Sequence, residues 1–342
     1  MKKLSHQFAE HIVFQKIKTK VEEFNNSLPL IEKLKNNNYF KDSHWERLMR
    51  ETGVNMEGIN LKSITLQQVF DMRLQDFPDK VDEVVTAAAN EMKNEEEINK
   101  IEVFWKSACF DYTDYKKGNE KRGVVIKVYE DIKSALDDHL TNLQNIEGSR
   151  YAGALKKVIR QWTDELTRIQ ETIDMWVQVQ RKWIYLEGIF IGNEDIRQQL
   201  PKEAKTFEQH HKNFKNINNQ VSKNPNIYVN CVTIDSTLIQ IKSLQTSFDK
   251  SQKSLTDYLN SKKKCFPRFY FISDEDLLSI LGSSDPLNIQ PHLIKLFDNC
   301  KSLYFERNKS ISAMSSDEGE DYKFEEIVKP EGAVEVWMTN VD

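Results

Sequence analysis

From Tyr151 the apolar residues Leu155, Ile159, Trp162, Leu166, Ile169, Ile173, Trp176 and Trp183 recur in alternating steps of three and four, with Gln180 as the single polar member. That spacing lays them along one stripe of a continuous helix, predicted over 151–187. So long a stripe needs at least one partner helix beside it. The residues between (Lys156, Arg160, Asp164, Glu165, Arg168, Glu171 and Arg181) are charged and suit a solvated face. Glu187-Gly188 reads as a break, and Asn193-Glu194-Asp195 as the cap of a second helix running into Leu200-Pro201.

A second aromatic block, Lys262 to Gly282, has a different pattern. Pro267 fixes its own φ and pushes Phe266 out of the helical region, so Cys265 to Ile272 is expected as an extended segment filling a core wedge. Ser273-Asp274-Glu275-Asp276 then caps a short helix, Leu277 to Leu281, that Gly282 ends.

The same reading organises the remainder. Helices are predicted over Leu4–Leu34 (stopped by Asn36-Asn37-Asn38), after a capping box at Ser43 to Glu46 with Trp45 and Leu48 facing inward, over Leu66–Leu74 behind a Thr65 cap, and over Asp79–Glu102. Further helices are expected at Tyr129–Ile146, Lys202–Val221, Ser236–Lys263 and Pro286–Phe297, with a last one starting near Ala333. Two β-hairpins are expected. One pairs Val103–Tyr112 with Val124–Val128 across turn signals at Gly118-Asn119 and Gly123; the other pairs Ser302–Ile311 with Tyr322–Val328 around an acidic turn, Ser315–Asp321. The fold class is mainly α: an elongated arm of packed antiparallel helices with one or two small hairpins.

Composition narrows the function. The 342 residues are 39% hydrophobic and 30% charged, with 11 glycines and 8 prolines, a profile of helical bundles. A net charge of −5 disfavours nucleic acid as a partner. No apolar run is long enough to span a bilayer, so no membrane partner is expected. Cys109, Cys231, Cys265 and Cys300 stand singly and are expected as reduced, buried, small hydrophobes.

Candidate chemistry is sparse. Gly53 and Gly58 have phosphate-loop spacing, but Ile59 stands where a lysine is required. His210 and His211 are adjacent and project about 100° apart on a helix, which makes them poor co-ligands. Asp317-Glu318-Gly319-Glu320-Asp321 lacks EF-hand spacing and reads as a solvated hairpin tip. Asp137-Asp138 lies on a charged face. No catalytic, cofactor-binding or metal-ligating residue is assigned, and no cofactor is expected.

The two aromatic blocks, WIYLEGIFIGNEDIRQQLP (Trp183–Pro201) and FPRFYFISDEDLLSILG (Phe266–Gly282), resemble dynein heavy chains. Supporting matches are Phe110–Leu140, Ser284–Phe305 and Ile311–Asp321. The middle block and the FDN of Phe297–Asn299 resemble axonemal chains, of the outer-arm group. The resemblance implies the neck and the N-terminal part of the linker: the end of the tail over 1–42, a helical neck with a hairpin over 43–150, and a linker bundle over 151–342. It further implies a non-catalytic, force-transmitting arm in the cilium axoneme and cytoskeleton. Its partners would be the AAA+ ring of the same heavy chain and, through the tail, intermediate chains, light chains or neighbouring heavy chains; microtubules would be bound only by a stalk lying elsewhere in the chain. The competing expectation is a passive helical scaffold or tether.

Overall fold

The long stripe does form one helix. The computed structural model describes residues 11–35, 40–54, 65–127 and 130–342. Its chain order is α1 (Ile12–Lys35), α2 (Asp42–Thr52), α3 (Leu66–Asp71), α4 (Pro78–Ser107), β1 (Asp111–Lys117), β2 (Glu120–Lys127), α5 (Glu130–Glu147) and α6 (Lys156–Phe190). Then come α7 (Glu194–Gln199), α8 (Pro201–Lys223), α9 (Ser236–Cys265), α10 (Asp274–Leu281), α11 (Leu293–Leu296), β3 (Cys300–Phe305), β4 (Ile311–Ser316), β5 (Asp321–Val328) and α12 (Val334–Thr339). Short 3-10 turns at Leu74–Asp76, Pro267–Phe271 and Pro286–His292, and a π-turn at Val229–Thr233, connect them. The fold is mainly α, with β1–β2 as one antiparallel sheet and β3–β4–β5 as another.

In α6 the stripe residues from Ile159 to Trp183 are buried, apart from the half-buried Gln180. The helix starts later than expected, because Tyr151–Leu155 turns on the bonds Ala152 N–Ser149 O and Leu155 N–Ala152 O. It also runs through Glu187-Gly188 to Phe190, since buried Leu186 and Phe190 continue the stripe and repay the helical glycine. The solvated face is only partly free: Arg168 pairs with Asp235 at 2.8 Å and Glu171 with Lys242 at 2.6 Å.

The chain divides into two compact units, residues 1–105 with 135–166, and residues 106–134 with 167–342. In the first, Leu30, Trp45, Leu48, Met72, Leu74, Val81 and Val84 form a buried cluster. Trp45 and Leu48 face inward as expected, but the N-cap of α2 is Lys41, whose backbone N–H donates to Nδ1 of His44 at 2.9 Å. Thr65 caps α3, accepting from Gln68 N at 3.3 Å, yet the helix ends at Asp71. Asn36-Asn37-Asn38, Gly58, Val128, Tyr129 and the start of the first predicted helix lie outside the described residues.

Further expectations are corrected. Of Val103 to Tyr112 only Asp111 and Tyr112 are strand: α4 carries on to Ser107, because Trp105 is buried on the helix and its Nε1–H donates to His139 Nδ1 of α5 at 3.0 Å. Gly123 is no turn signal but a mid-strand residue opposite Tyr115. Cys265–Ile272 is extended only at Phe266 and Ile272; between them Pro267, with a φ already suited to a helical turn, opens a 3-10 turn instead. The C-terminal hairpin is a three-stranded meander, with Ile311 to Ser316 as its central strand and the acidic run as the β4–β5 tip. Of the cysteines, all expected to be buried, Cys231 and Cys300 are, whereas Cys109 and Cys265 are exposed; all four are free thiols.

Candidate functional site

The second unit concentrates its buried polar groups where the β1–β2 hairpin lies on α6 and α8. Gln180, the one polar member of the stripe, holds both polar backbone groups of Ile126: Nε2 donates to the Ile126 carbonyl and Oε1 accepts its N–H, each at 2.9 Å. Two residues along the same strand edge, the Val124 carbonyl accepts from Asn218 Nδ2 at 2.7 Å. Side chains two apart share a side of a strand, and so do these outward backbone groups. Two amides therefore close an edge that a two-stranded sheet leaves open. Asn218, itself buried, also accepts from Trp176 Nε1 at 2.9 Å, so one amide ties hairpin, α8 and α6 together.

Trp183 is the packing centre. Its buried ring stands 5.2 Å from Tyr115, 5.3 Å from Phe214 and 5.7 Å from His211, centroid to centroid. Its Nε1–H donates to His211 Nδ1 at 3.0 Å. That bond needs an unprotonated Nδ1, and the surroundings favour it: burial, then the nearby Lys215 charge, push the His211 pKa down to about 4. Gly123 lies against the same ring: a Cβ there would come into van der Waals contact with Trp183 Cη2 at 3.4 Å.

One turn further on, Glu187 is fully buried and accepts from Tyr115 Oη at 3.2 Å and from Arg122 Nη1 at 3.3 Å. Arg122 reaches on to Glu120 at 2.8 Å. Burial and the Glu187 charge push the Tyr115 phenol up, keeping it a donor. Lys117, at the hairpin tip, donates to the Gly188 carbonyl at 3.4 Å, a cation at the carbonyl end of α6.

The two aromatic blocks meet at the turn that follows. Asn193 caps α7, its Oδ1 accepting from Ile196 N at 3.2 Å. The other side of its amide rests on Gly282, where a Cβ would overlap the Asn193 side chain and approach the Leu278 carbonyl at 2.8 Å. Gln199 Nε2 donates to the Leu281 carbonyl at 3.5 Å while its Oε1 accepts from Tyr258 Oη. Gly282→Ala is thus expected to cost about 2 kcal/mol from overpacking, and Asn193→Ala about 1 kcal/mol for the lost cap. Because the first cost arises partly from the second side chain, the double variant should fall short of the sum by about 1 kcal/mol. Denaturant midpoints of the four proteins measure this, and strict additivity would separate the blocks.

Three residues of the second block are core, while Tyr270 and Phe271 are exposed. Phe266, Phe269 and Ile272 are buried, and Phe266 packs at 4.9 Å on Phe269 and at 6.4 Å on Phe297. Arg268 lies 4.6 Å over Phe297, donates to the Leu296 carbonyl at 3.2 Å and pairs with Asp342 at 2.6 Å. Lys262 pairs with the buried Glu335 of α12.

The residues singled out for chemistry are dispersed. Gly53 is the left-handed C-cap of α2, with φ 72°. His211 is the acceptor of Trp183, while its neighbour His210 lines a separate shallow groove with Ile217 and Ile239. Asp317 sits at the β4–β5 tip, 2.8 Å from Lys301. Asn218 escaped the sequence reading, while Glu187 was read only as part of a break and His211 only as a poor co-ligand. Gln180 left a trace there as the one polar residue on the apolar stripe.

A seam of this kind, assembled from those two blocks, belongs with the comparisons to known proteins. All of residues 1–342 match the family model described as "Dynein heavy chain, N-terminal region 2". The chain belongs to the dynein heavy chain family. It is 43% identical over 331 residues, 96% of its length, to the dynein-1-alpha heavy chain of the flagellar inner arm I1 complex of Chlamydomonas reinhardtii. It is 43% identical over 329 residues, 95% of its length, to human dynein axonemal heavy chain 10, and 33% identical over 327 residues to mouse dynein axonemal heavy chain 1. The dynein chain spans about 7% of the length of the first two relatives and 8% of the third.

Proposed function

We propose that this segment is the neck and first part of the linker of an axonemal dynein heavy chain, of inner-arm type, and that it transmits force without catalysing a reaction. The first compact unit would be neck and the second the start of the linker. Its partner would be the ATPase ring of the same heavy chain; microtubules would be met by other parts of that chain, in the axoneme of a cilium.

The observation that carries this reading is the seam itself. Gln180, Asn218, Trp183 and Glu187 join α6, α8 and the hairpin through oriented, buried bonds, and Asn193 against Gly282 joins the second block to the same turn. Packed helices held by directional bonds have one arrangement and resist bending, as an arm under load must.

The test is to replace residues 167–342 in the full heavy chain by a flexible Gly/Ser chain of matched span and measure microtubule gliding and ATP turnover together. Force transmission predicts that turnover continues while gliding velocity falls at least about tenfold, as a random-coil linker carries no bending load. Unchanged gliding would hand the segment to the scaffold reading.

A further inference from the structure

Side-chain amides have a recurring use in this fold: a single amide takes both main-chain groups of an extended residue. Gln180 does so at Ile126. Gln290 does the same at Leu303 of β3, its Nε2 donating to the carbonyl at 2.7 Å and its Oε1 accepting the N–H at 3.0 Å. An amide offers both a donor and an acceptor, so it matches the N–H and C=O of a strand edge without bringing any charge.

A groove of about 550 Å³ between α8 and α9 gathers four more such amides. Asn213, Asn216 and Gln220 follow one another along α8, and Gln240 stands on the α9 side. All four are exposed, and none of these side chains has a hydrogen-bond partner among the described residues. Buried Ile217 and Leu244 also line the groove, as does Ile239, which is 69% exposed. Among the described residues no Lys, Arg, Asp or Glu lines it, although such residues make up 30% of the chain. A lining of free amides and apolar surface suits a partner that brings main-chain groups and no charge.

We infer that this groove binds an extended, uncharged peptide segment of a different polypeptide. The amides hold its main chain, as Gln180 and Gln290 hold β2 and β3, and the apolar lining receives its side chains. The helix sets the length. His210 to Gln220 covers about 15 Å of α8, the reach of roughly four to five strand residues. A charged segment is disfavoured, because the groove offers it no counter-charge. The five strands β1 to β5 are each paired within their own sheets, so none of them is the occupant. The inference does not depend on the force-transmitting reading, since it concerns what the unit binds and not what it transmits.

The experiment uses the full heavy chain in its assembled complex. A photoreactive p-benzoylphenylalanine takes the place of Ile239, and separately of Tyr322 on β5, a similarly open control at 61% exposure. Irradiation followed by mass spectrometry maps what each position touches. The expected result is a cross-link from position 239, and not from 322, to an uncharged segment of another polypeptide of the complex. Asn213→Asp with Asn216→Asp keeps the side-chain size and replaces two donors by charge. That pair should lower the cross-link yield at least about tenfold, from the loss of two hydrogen bonds. A cross-link within the heavy chain itself, one to a charged segment, a yield no higher than at 322, or a yield that survives both substitutions each overturns the inference. Co-sedimentation verifies that each variant is assembled. The map from position 239 with both asparagines intact decides the matter even where the double variant fails to assemble.

Discussion

Trp183→Ala is expected to destabilise the second unit by about 3–5 kcal/mol, the range for truncating a buried aromatic. The site cannot collapse to fill the space, because its walls are rings anchored elsewhere: Tyr115 by Glu187, Phe214 by α8 and His211 by its own helix. Trp183→Phe separates packing from hydrogen bonding. It retains most of the volume, loses the donor to His211, and should cost about 1–2 kcal/mol. Urea unfolding followed by near-ultraviolet circular dichroism measures both. Hydrogen exchange adds a local readout: amides of β1 and β2 should lose protection first, because Gly123 and Tyr115 rest on the missing ring. A cost below about 1 kcal/mol for the alanine variant, typical of a surface site, would mean the hairpin is held by its backbone bonds to Gln180 and Asn218 and not by the tryptophan.

Why Trp183 was legible in the sequence and its partners were not is a matter of range. The stripe of α6 repeats every three or four residues, so its face was set by local periodicity, and the same holds for α8, α9 and the Ser273 cap of α10. Trp105 shows the limit. Val103-Phe104-Trp105 satisfies strand and helix patterns equally, and what settles it is a bond to His139, 34 residues away. Glu187-Gly188 misled in the opposite sense. A buried carboxylate followed by glycine reads as a break, but Tyr115 and Arg122, more than sixty residues earlier, supply the donors that let α6 continue. The third strand of the C-terminal sheet was hidden because Ser312, Ser315 and Ser316 dilute the β-branched signal of a strand that is central only through its neighbours. In the candidate site, likewise, Gln180 was visible as an anomaly. Asn218 and His211, in an asparagine- and lysine-rich helix, carry no local mark, and their roles exist only once the hairpin is laid against them.

Lowering the pH from about 6.5 to about 4 is expected to remove about 3 kcal/mol of stability from the second unit through His211 alone. In the folded chain burial, Lys215 and Arg122 oppose the imidazolium, Glu208 only partly offsets them, and the pKa falls from 6.5 to about 4. The unfolded chain takes up the proton near 6.5. Between those two values the unfolded state binds more protons, so stability rises with pH there; the contribution is complete above 6.5 and fully lost once the folded histidine also protonates. The structural cost is visible in the same place, because an imidazolium cannot accept the Trp183 N–H at Nδ1. Carboxylates held low by partners, such as Asp276 beside Lys295 and Ser273, add their own acid loss at lower pH. His211→Gln isolates the histidine: it keeps an acceptor for Trp183 and has nothing to titrate. Urea midpoints from pH 7.5 to 4 should therefore diverge, the parent falling and the variant staying flatter until the carboxylates protonate. Parallel curves would show that the folded unit already admits a charged His211, and that the indole is held by packing against Tyr115 and Phe214 without help from the hydrogen bond.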